Sequence, residues 1–386
     1  MRRTTTILFA ASATFLTGSL LAVSPLGIPI PPVGEFGGPV RTLTPLEEAQ
    51  FVRGRNLFDE PMHKTRGLGL PEFNADSCRG CHQDPVLGGA GGLELNVFRA
   101  ANDNGGAGPF GDITGGQAFS KFLPPWMSGR EEHDDTEADV FEQRQTPALF
   151  GMGLIDAIPD AEILSNQDLT DANGDRIYGV ARMVDVGGGV MEVGRFGWKA
   201  QVPHTRDFVR DAMGGELGLT TPDDGRGFAF ASDSDTVADP EFTQAEVDDM
   251  EFWLNMLAPP PRGGNAQDPE VMFGKRLFGA IGCARCHKPV LQGPTGPVKL
   301  YSNLLLHDVH RPAFRGMSEP GAPVAFYRTP PLWGVGKTAP YFHDGRAETL
   351  HDAIDMHRGE AARVRFAYTA LPQNLKDALI AFLNDL

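Results

Sequence analysis

Two five-residue segments of the chain combine a pair of thiols with an adjacent imidazole: Cys78-Arg-Gly-Cys-His82 and Cys283-Ala-Arg-Cys-His287. In a C-x-x-C-H segment the thiols can add to the vinyl groups of a haem as thioethers, and the imidazole becomes the proximal iron ligand. Cysteines three residues apart lie on one helical face and can reach neighbouring pyrroles. All four cysteines of the chain fall in these segments, which predicts two covalently bound haem c groups. The predicted haem-binding residues are Cys78, Cys81, His82, Cys283, Cys286 and His287.

A structural zinc site and a redox dithiol are the alternative uses of these cysteines. Four cysteines could hold one zinc ion, but the pairs lie about 200 residues apart, outside the spacing of zinc ribbons. A thioredoxin-like dithiol would need a βαβ context, and neither segment follows a β-branched run. Both alternatives are weaker than haem attachment.

The regions around the two cysteine segments repeat each other. Gly54-Arg-Asn-Leu-Phe58 precedes the first segment and Gly274-Lys-Arg-Leu-Phe278 precedes the second. Arg144-Gln-Thr-Pro and Arg328-Thr-Pro follow them, and each half closes with an amphipathic helix. The duplication predicts a mainly α-helical fold of two cytochrome c-like domains.

Local signals set the expected boundaries of these domains. Capping boxes at Thr44 and Thr243 and an Asp268-Pro269 start predict three helix N-termini. The first domain has a loop-rich insertion at 155–240, which the second lacks; such insertions usually lie over a functional face. The remaining boundaries follow from composition. We expect a Pro- and Gly-rich tether at 25–43, domains at 44–258 and 268–386, and a Pro-rich linker at 259–267.

The beginning of the chain has the composition of an export signal. Met1-Arg-Arg is followed by an apolar run from Ile7 to about Val23. We therefore expect a signal peptide at 1–24 and a periplasmic or otherwise exported protein, which matches the attachment of c-type haem outside the bacterial cytoplasm. An uncleaved membrane anchor is the alternative. No later segment is apolar enough to span a bilayer.

The formal net charge of the chain is −16. This charge makes nucleic acid an unfavourable partner. It fits a small basic redox protein as electron donor, although a solvated acidic surface is the commoner explanation of such a charge.

Several separated stretches resemble a known family. The segment from Arg328 to His357 resembles the closing segment of the bacterial dihaem cytochrome c peroxidase superfamily. Other stretches resemble, more narrowly, its di-haem oxidoreductase family. These stretches are Phe73-Asn-Ala-Asp-Ser-Cys78, Gly153-Leu-Ile-Asp-Ala-Ile-Pro159, Gly194-Arg-Phe-Gly-Trp-Lys-Ala200 and His357-Arg-Gly-Glu-Ala361. The resemblance runs from about residue 44 to the C-terminus and implies an oxidoreductase that reduces hydrogen peroxide.

The axial ligands decide what each haem does. A second strong ligand closes the iron to substrate, whereas an open position admits peroxide. The resemblance places His357 at the position of the distal ligand of the C-terminal, electron-entry haem, opposite His287. Met356 is the runner-up for this role. The other candidate ligands after His287 are His307, His310, Met317, His343 and His351.

The N-terminal haem is expected to have an open or weakly ligated distal side, hence to be the peroxidatic site. No histidine lies between His82 and His133, although His63 or His133 could close the iron. Catalysis there needs a base that takes a proton from peroxide and returns it. The superfamily uses a carboxylate, but its Phe-Trp-Asp-Gly-Arg-Ala stretch is absent from the first half. Asp156 is the first candidate and Glu142 the second; either could instead be a helix cap or a solvated charge.

An aromatic ring between the haems would assist electron transfer. The resembled enzymes have Trp where this chain has Phe150, and the second repeat has Trp333 at the equivalent place. Trp126 and Trp198 are other candidate relays. Core packing is the commoner role for all four.

The insertion contains a candidate calcium loop. Asp171-Ala-Asn173-Gly-Asp175 has oxygen side chains at alternating positions, as in the first half of an EF-hand loop. No Glu follows at the twelfth position, so an Asx-rich turn is the alternative.

These observations together predict an exported dihaem c-type oxidoreductase. Its partners would be hydrogen peroxide and a small redox protein that donates electrons. A two-haem electron carrier and an oxidase of a protein or organic substrate are the alternative functions.

Overall fold

The structure is a computed structural model that describes residues 30–70, 73–105, 110–111, 113, 118–119, 135–311, 314 and 316–386. The predicted signal peptide at 1–24, Trp126 and His133 lie outside these residues. The described chain combines α-helices with short antiparallel sheets. The helices are α1 (Pro45–Asp59), α2 (Met152–Asp156), α3 (Asp160–Leu164), α4 (Thr205–Ala212), α5 (Gln244–Met256), α6 (Pro269–Ala280), α7 (Leu350–Met356), α8 (Ala362–Thr369) and α9 (Gln373–Asp385). The strands are β1 (Val97–Ala101), β2 (Ala118–Phe119), β3 (Val140–Arg144), β4 (Met183–Asp185), β5 (Met191–Val193), β6 (Leu291–Gly293), β7 (Gly296–Val298), β8 (Leu306–Asp308) and β9 (Phe326–Arg328).

The three helix starts predicted from local signals are confirmed. Thr44 and Thr243 each form a complete capping box, in which the threonine side chain accepts from the third helical N–H and the glutamate there accepts from the cap N–H. Asp268 caps α6 and is followed by proline at the first helical position. These caps pair backbone N–H groups that helix ends otherwise leave unsatisfied.

Each cysteine segment is flanked in the sequence by two helices that pack against each other. Helix α1 packs against α5, and α6 packs against α9. At each crossing one glycine meets the backbone of the facing helix. A Cβ on Gly54 would lie 1.9 Å from the carbonyl oxygen of Asp249, and a Cβ on Gly274 would lie 1.9 Å from that of Ala378. The repeated glycines therefore allow a backbone approach that a methyl group would prevent.

The larger hydrophobic core is shared by both halves of the chain. It contains Phe58 of α1 and Trp253 of α5 together with Leu291, Leu300 and Leu304 from the second half. A smaller core surrounds the α6 and α9 pair. The halves thus bury apolar surface against each other.

The segment predicted as a tether is packed at its described end. The Val40 N–H donates to the carbonyl oxygen of Met256 at 2.7 Å, and the Ala258 N–H donates to that of Gly38 at 2.9 Å. Phe36 meets Phe150 edge to face at 5.4 Å. The chain therefore reaches α1 along the surface of α5. The 155–240 region likewise contains α3, α4 and the β4–β5 hairpin besides its loops.

Short sheets position residues from distant parts of the sequence. Strands β2, β1 and β3 form one sheet, and β8 pairs with β9 so that His307 lies opposite Tyr327. No helix within the described ranges is long and apolar enough to cross a membrane.

Candidate haem-binding site

The two cysteine segments adopt the same local conformation. Each forms a 3-10 turn, at Cys78–Gly80 and Cys283–Arg285. The N–H of the following histidine donates back to the first cysteine carbonyl at 3.0 Å in both segments. Each turn therefore presents two thiols from its first and fourth positions and one imidazole from its fifth, as haem attachment requires.

A backbone carbonyl orients each imidazole. The Nδ1 atom of His82 lies 3.2 Å from the Gly89 oxygen, and Nδ1 of His287 lies 3.1 Å from the Tyr301 oxygen. An imidazole whose Nδ1–H donates to a carbonyl keeps its Nε2 lone pair for a metal. Both segments thus have the oriented histidine that is typical of metal ligands.

Burial keeps these histidines neutral and these thiols protonated. It lowers the pKa of His82 to about 4 and that of His287 to about 3. It raises the pKa of the Cys78 and Cys283 thiols to about 12. Catalytic dithiols have lowered thiol pKa values, so these cysteines do not fit a redox dithiol. They fit haem attachment, for which a neutral imidazole ligand is needed.

A cavity of about 270 Å³ connects the surroundings of the two segments. Cys283, Cys286 and His287 line it directly, and Ala90 and Pro147 line it beside the first segment. Most of its wall is apolar. Apolar residues of the wall include Met152, Ile155, Phe196, Phe208, Leu350 and Leu383. Paired thiols, an oriented imidazole and an apolar cavity are the features that a c-type haem needs.

His357 lines the same cavity as His287. Its Nδ1 atom lies 2.7 Å from the Ala353 carbonyl oxygen, in the same arrangement as the other two imidazoles. Burial lowers the pKa of His357, so its imidazole is neutral as well. Met356, the runner-up ligand, is 37% exposed and is not among the lining residues. His357 is thus the better placed of the two, and its ligation stays a prediction.

Other candidate histidine ligands have partners of their own. His307 pairs with Glu360 at 2.8 Å, and His351 bonds to the Tyr368 hydroxyl. His63 is exposed and bonds to Thr65. Met317 is packed in a small core beside Ala101 and Val140.

His310 and His343 belong to a buried group that sequence reasoning did not assemble. With Tyr327 and Phe314 they form what we call the Tyr327 cluster. The Tyr327 and His343 rings stack at 3.8 Å, and the His310 and Phe314 rings stack at 4.1 Å. The two histidine rings meet edge to face at 5.2 Å. Tyr327, His310 and His343 all line the cavity. A signal was available only for His343, in the Tyr341-Phe-His-Asp-Gly stretch of the resemblance.

Asp156 lies at the end of α2 and is engaged by a histidine. Its Oδ1 lies 2.6 Å from Nδ1 of His204, and Nε2 of His204 lies 3.1 Å from Glu192. The hydrogen bond that His204 donates to Asp156 raises the pKa of His204. The neighbouring residue, Ile155, lines the cavity, but Asp156 does not. Its catalytic role stays a prediction.

Glu142 is buried in an ionic network that joins the two halves. Its Oε1 lies 2.5 Å from Nε of Arg144, and its Oε2 accepts from the Met317 N–H at 2.6 Å and from the Tyr327 hydroxyl at 3.1 Å. Burial acts to raise the pKa of Glu142, but the Arg144 charge and the Met317 N–H outweigh it and hold that pKa below its usual value. Glu319 continues the network, since it pairs with both Arg144 and Arg182 at 2.6 Å.

The side chains of the predicted calcium loop form hydrogen bonds with backbone N–H groups of the loop and of the residues after it. Asp171, Asn173 and Asp175 each accept a backbone N–H at 2.9 Å. The second carboxylate oxygen of Asp175 lies 3.2 Å from Arg285, which belongs to the second cysteine segment. The loop therefore forms the Asx turns of the alternative reading, and calcium stays a prediction.

The described candidate relays Phe150, Trp198 and Trp333 all line the cavity. Trp333 packs over Gly151, which directly follows Phe150; a Cβ there would lie only 2.4 Å from the indole. Gly151 also has a φ of 74°, which favours glycine. Trp198 lines the cavity and donates to the Gln145 carbonyl at 2.7 Å.

By sequence, the chain matches one family model and one characterised protein. The family model "Di-haem oxidoreductase, putative peroxidase" matches residues 130–386. The cytochrome c551 peroxidase of Nitrosomonas europaea is 31% identical over 96 residues, which cover 24% of this chain and 28% of that protein. The chain thus matches little more than a quarter of that relative's length.

Two solved structures are among the matches found by comparison of the fold. The diheme peroxidase BthA from Burkholderia thailandensis is 16% identical, with 94% of this chain and 88% of that chain covered and a TM-score of 0.45. A MauG-like protein associated with microbial copper homeostasis is 17% identical, with 92% of each chain covered and a TM-score of 0.43.

Proposed function

We propose a function for this chain from one premise: it belongs to the di-haem oxidoreductase family. It is therefore a dihaem peroxidase-like oxidoreductase with haem cofactors. Within that class we assign it two covalently attached haem c groups, in cytochrome c-like domains at 44–258 and 268–386. Electrons enter at the C-terminal haem and pass to the N-terminal haem, where hydrogen peroxide is reduced to water.

The observation that supports this proposal most is the shared cavity. It extends from Cys283, His287 and His357 to Ala90 and Pro147 beside the first cysteine segment. One apolar space that is lined by the second segment and reaches the neighbours of the first suits electron transfer between two haems.

The ligand assignment follows from the surroundings of each imidazole. His287 and His357 are proposed as the two ligands of the C-terminal iron, because both are oriented by carbonyls and line one cavity. His82 is proposed as the sole strong ligand of the N-terminal iron. The exposed position of His63 supports an open distal side.

Reduction of one peroxide to two waters consumes two electrons and two protons. When bound, the haem iron supplies the electron-transfer chemistry. This chain's own residues must hold and move the protons. Asp156 is the proposed base ahead of Glu142, since its hydrogen bond to His204 forms a pair that can take up and return a proton beside the cavity wall.

The test is the electron paramagnetic resonance spectrum of the oxidised holoprotein before and after one equivalent of peroxide. We expect one high-spin and one low-spin ferric signal, with loss of the high-spin signal after peroxide. Two low-spin signals that ignore peroxide, also after half-reduction, would contradict the proposal. Asp156→Asn should depress peroxide turnover while both haem spectra stay intact; unchanged turnover would remove Asp156 from the mechanism.

A two-haem electron carrier is the second candidate. It is favoured by three further histidines in the cavity wall, His307, His310 and His343, any of which could close an iron after a side-chain movement. The same spectra separate the two functions, because a carrier has two six-coordinate haems.

Export and an external electron donor complete the proposal. The apolar N-terminal run and the haem-attachment segments support a periplasmic location. Cell fractionation and the N-terminal sequence of the mature protein test it. A small redox protein is the proposed donor, and stopped-flow reduction of the C-terminal haem by candidate donors is the corresponding measurement.

A further inference from the structure

Tyr327 occupies an unusual position in the cavity wall. It lies in β9, is only 5% exposed and stacks on His343 at 3.8 Å with ring planes 16° apart. His310 meets it edge to face at 5.0 Å. The phenol ring is thus packed against two imidazole rings while it still lines the cavity.

The Tyr327 hydroxyl donates to a base. Its partner is Oε2 of Glu142 at 3.1 Å, on a side chain that is 2% exposed. Arg144 and the Met317 N–H keep this carboxylate ionised. A phenol that loses an electron becomes a strong acid, so a carboxylate already bonded to the hydroxyl receives its proton without rearrangement.

The surroundings oppose any charged form of the ring. Burial raises the pKa of Tyr327 well above its usual value, so phenolate does not form first. Lys199 Nζ lies 4.0 Å from the ring centroid. Burial lowers the pKa of Lys199 to about 7, and its protonated form opposes a radical cation on the ring. Loss of an electron is therefore favourable only together with transfer of the proton.

We propose that Tyr327 is a redox-active tyrosine that holds one oxidising equivalent in the cavity wall and passes its phenolic proton to Glu142. The inference rests on the proposed function, in which hydrogen peroxide is the oxidant. Tyr327 gives one of the two electrons that peroxide consumes and becomes a neutral phenoxyl radical, while Glu142 takes the phenolic proton and becomes a neutral acid. The second electron would come from a bound haem iron, which the donor then reduces again. One electron from the donor and the proton on Glu142 restore the phenol.

Two other tyrosines can be compared with Tyr327: Tyr341 serves as a control, and Tyr368 is the alternative site of a radical. Tyr341 lines the same cavity, but its hydroxyl donates at 2.9 Å to the carbonyl oxygen of Val335, which cannot accept a proton at neutral pH. Tyr368 has a base in His351, but it is not among the lining residues. Access to the cavity and a proton acceptor are thus combined only at Tyr327 among these three.

The experiment is freeze-quench electron paramagnetic resonance of the holoprotein after peroxide, with ordinary or ring-deuterated tyrosine. We expect a radical signal that narrows on deuteration, disappears in Tyr327→Phe and persists in Tyr341→Phe. Glu142→Gln should also abolish it, since the amide cannot take the proton. The ferric signals of both haems report whether each variant is folded and loaded.

A second variant, in which Tyr327 is kept, tests the inference even if Tyr327→Phe does not fold. The chain has five tyrosines, and replacing the four others by phenylalanine should leave the signal in place. A signal that survives in Tyr327→Phe, disappears in Tyr368→Phe or ignores tyrosine deuteration would overturn the inference, as would haem oxidation with no radical. If peroxide leaves the ferric signals of the wild type unchanged, the proposed function itself fails.

Discussion

The two cysteine segments are held by matching helix pairs but face different surroundings. Gly54 and Gly274 allow the same close crossing, and the following Phe58 and Phe278 lie 5.9 and 6.4 Å from the imidazoles of their segments. His287, however, lines the cavity with His357, whereas His82 is not among the lining residues. The helix crossing is therefore repeated beside both segments, whereas the wall that lines the cavity is not, and the different roles proposed for the two haems rest on that wall.

The largest effect is expected when the two thiols of one cysteine segment are removed, which tests whether each segment binds one haem. Cys78→Ser with Cys81→Ser, and Cys283→Ser with Cys286→Ser, should each leave one covalently bound haem per chain, because each pair forms the thioethers of one group. Mass spectrometry of the denatured protein measures the attachment. Two haems retained in either double variant would refute the pairing.

Replacing His357 should separate the two haems by spin state. His357→Ala should convert the low-spin ferric signal to high-spin and leave the other signal unchanged, because only the C-terminal iron loses a ligand. His357→Met should restore a low-spin signal. It should also give this haem a higher reduction potential than His357 does, since a thioether stabilises ferrous iron. Met356→Leu is the matched control. A low-spin signal lost in Met356→Leu and kept in His357→Ala would assign the ligand to Met356 instead.

Adding one methyl group should damage both helix crossings alike. Gly54→Ala and Gly274→Ala should each lower the free energy of unfolding by about 1–3 kcal/mol, because the Cβ would overlap a backbone carbonyl. Gly279→Ala is the control in α6, where a Cβ meets nothing within 4 Å. It should stabilise the helix by roughly 0.5–1 kcal/mol. Denaturant unfolding followed by circular dichroism measures all three, and a neutral Gly54→Ala would mean that the α1 and α5 crossing is looser than that of α6 and α9.

The Asp156 and His204 pair should give the first half a small pH dependence. The hydrogen bond that His204 donates to Asp156 raises the pKa of His204. The pair therefore stabilises the fold fully below the unfolded value of about 6.5, and this contribution is lost as the pH rises through the raised folded value. Asp156→Asn should cost less than about 1 kcal/mol at low pH and nothing at high pH. An equal cost at both would contradict the ion pair.

Local signals predicted the parts of the fold that depend on few neighbours. Thr44, Thr243 and Asp268 cap helices as expected, because a capping bond is complete within four residues. The family match confirms the resemblance drawn from separated motifs. The cysteine segments form matching turns for the same reason, since their hydrogen bonds are local.

Contacts between distant residues could not be predicted in this way. Tyr327 meets Glu142 across 185 positions, and His204 meets Asp156 across 48. Such pairs depend on how β3, β9 and α4 are placed, which no local pattern of the sequence specifies. In the calcium loop the spacing alone could not decide between a cation and Asx turns, because both use the same side-chain oxygens.

The network around Glu319 has a consequence for the response of the protein to salt. The side chains of Arg144, Arg182 and Glu319 are only 6–9% exposed, yet they connect the two halves. Dissolved ions screen charges that face solvent and act far less on buried pairs. We therefore expect high ionic strength to leave the shared cavity intact while it weakens the docking of a charged donor on the acidic surface. Turnover with a protein donor should then fall as salt is added, while the peroxide response of the haem signals stays constant.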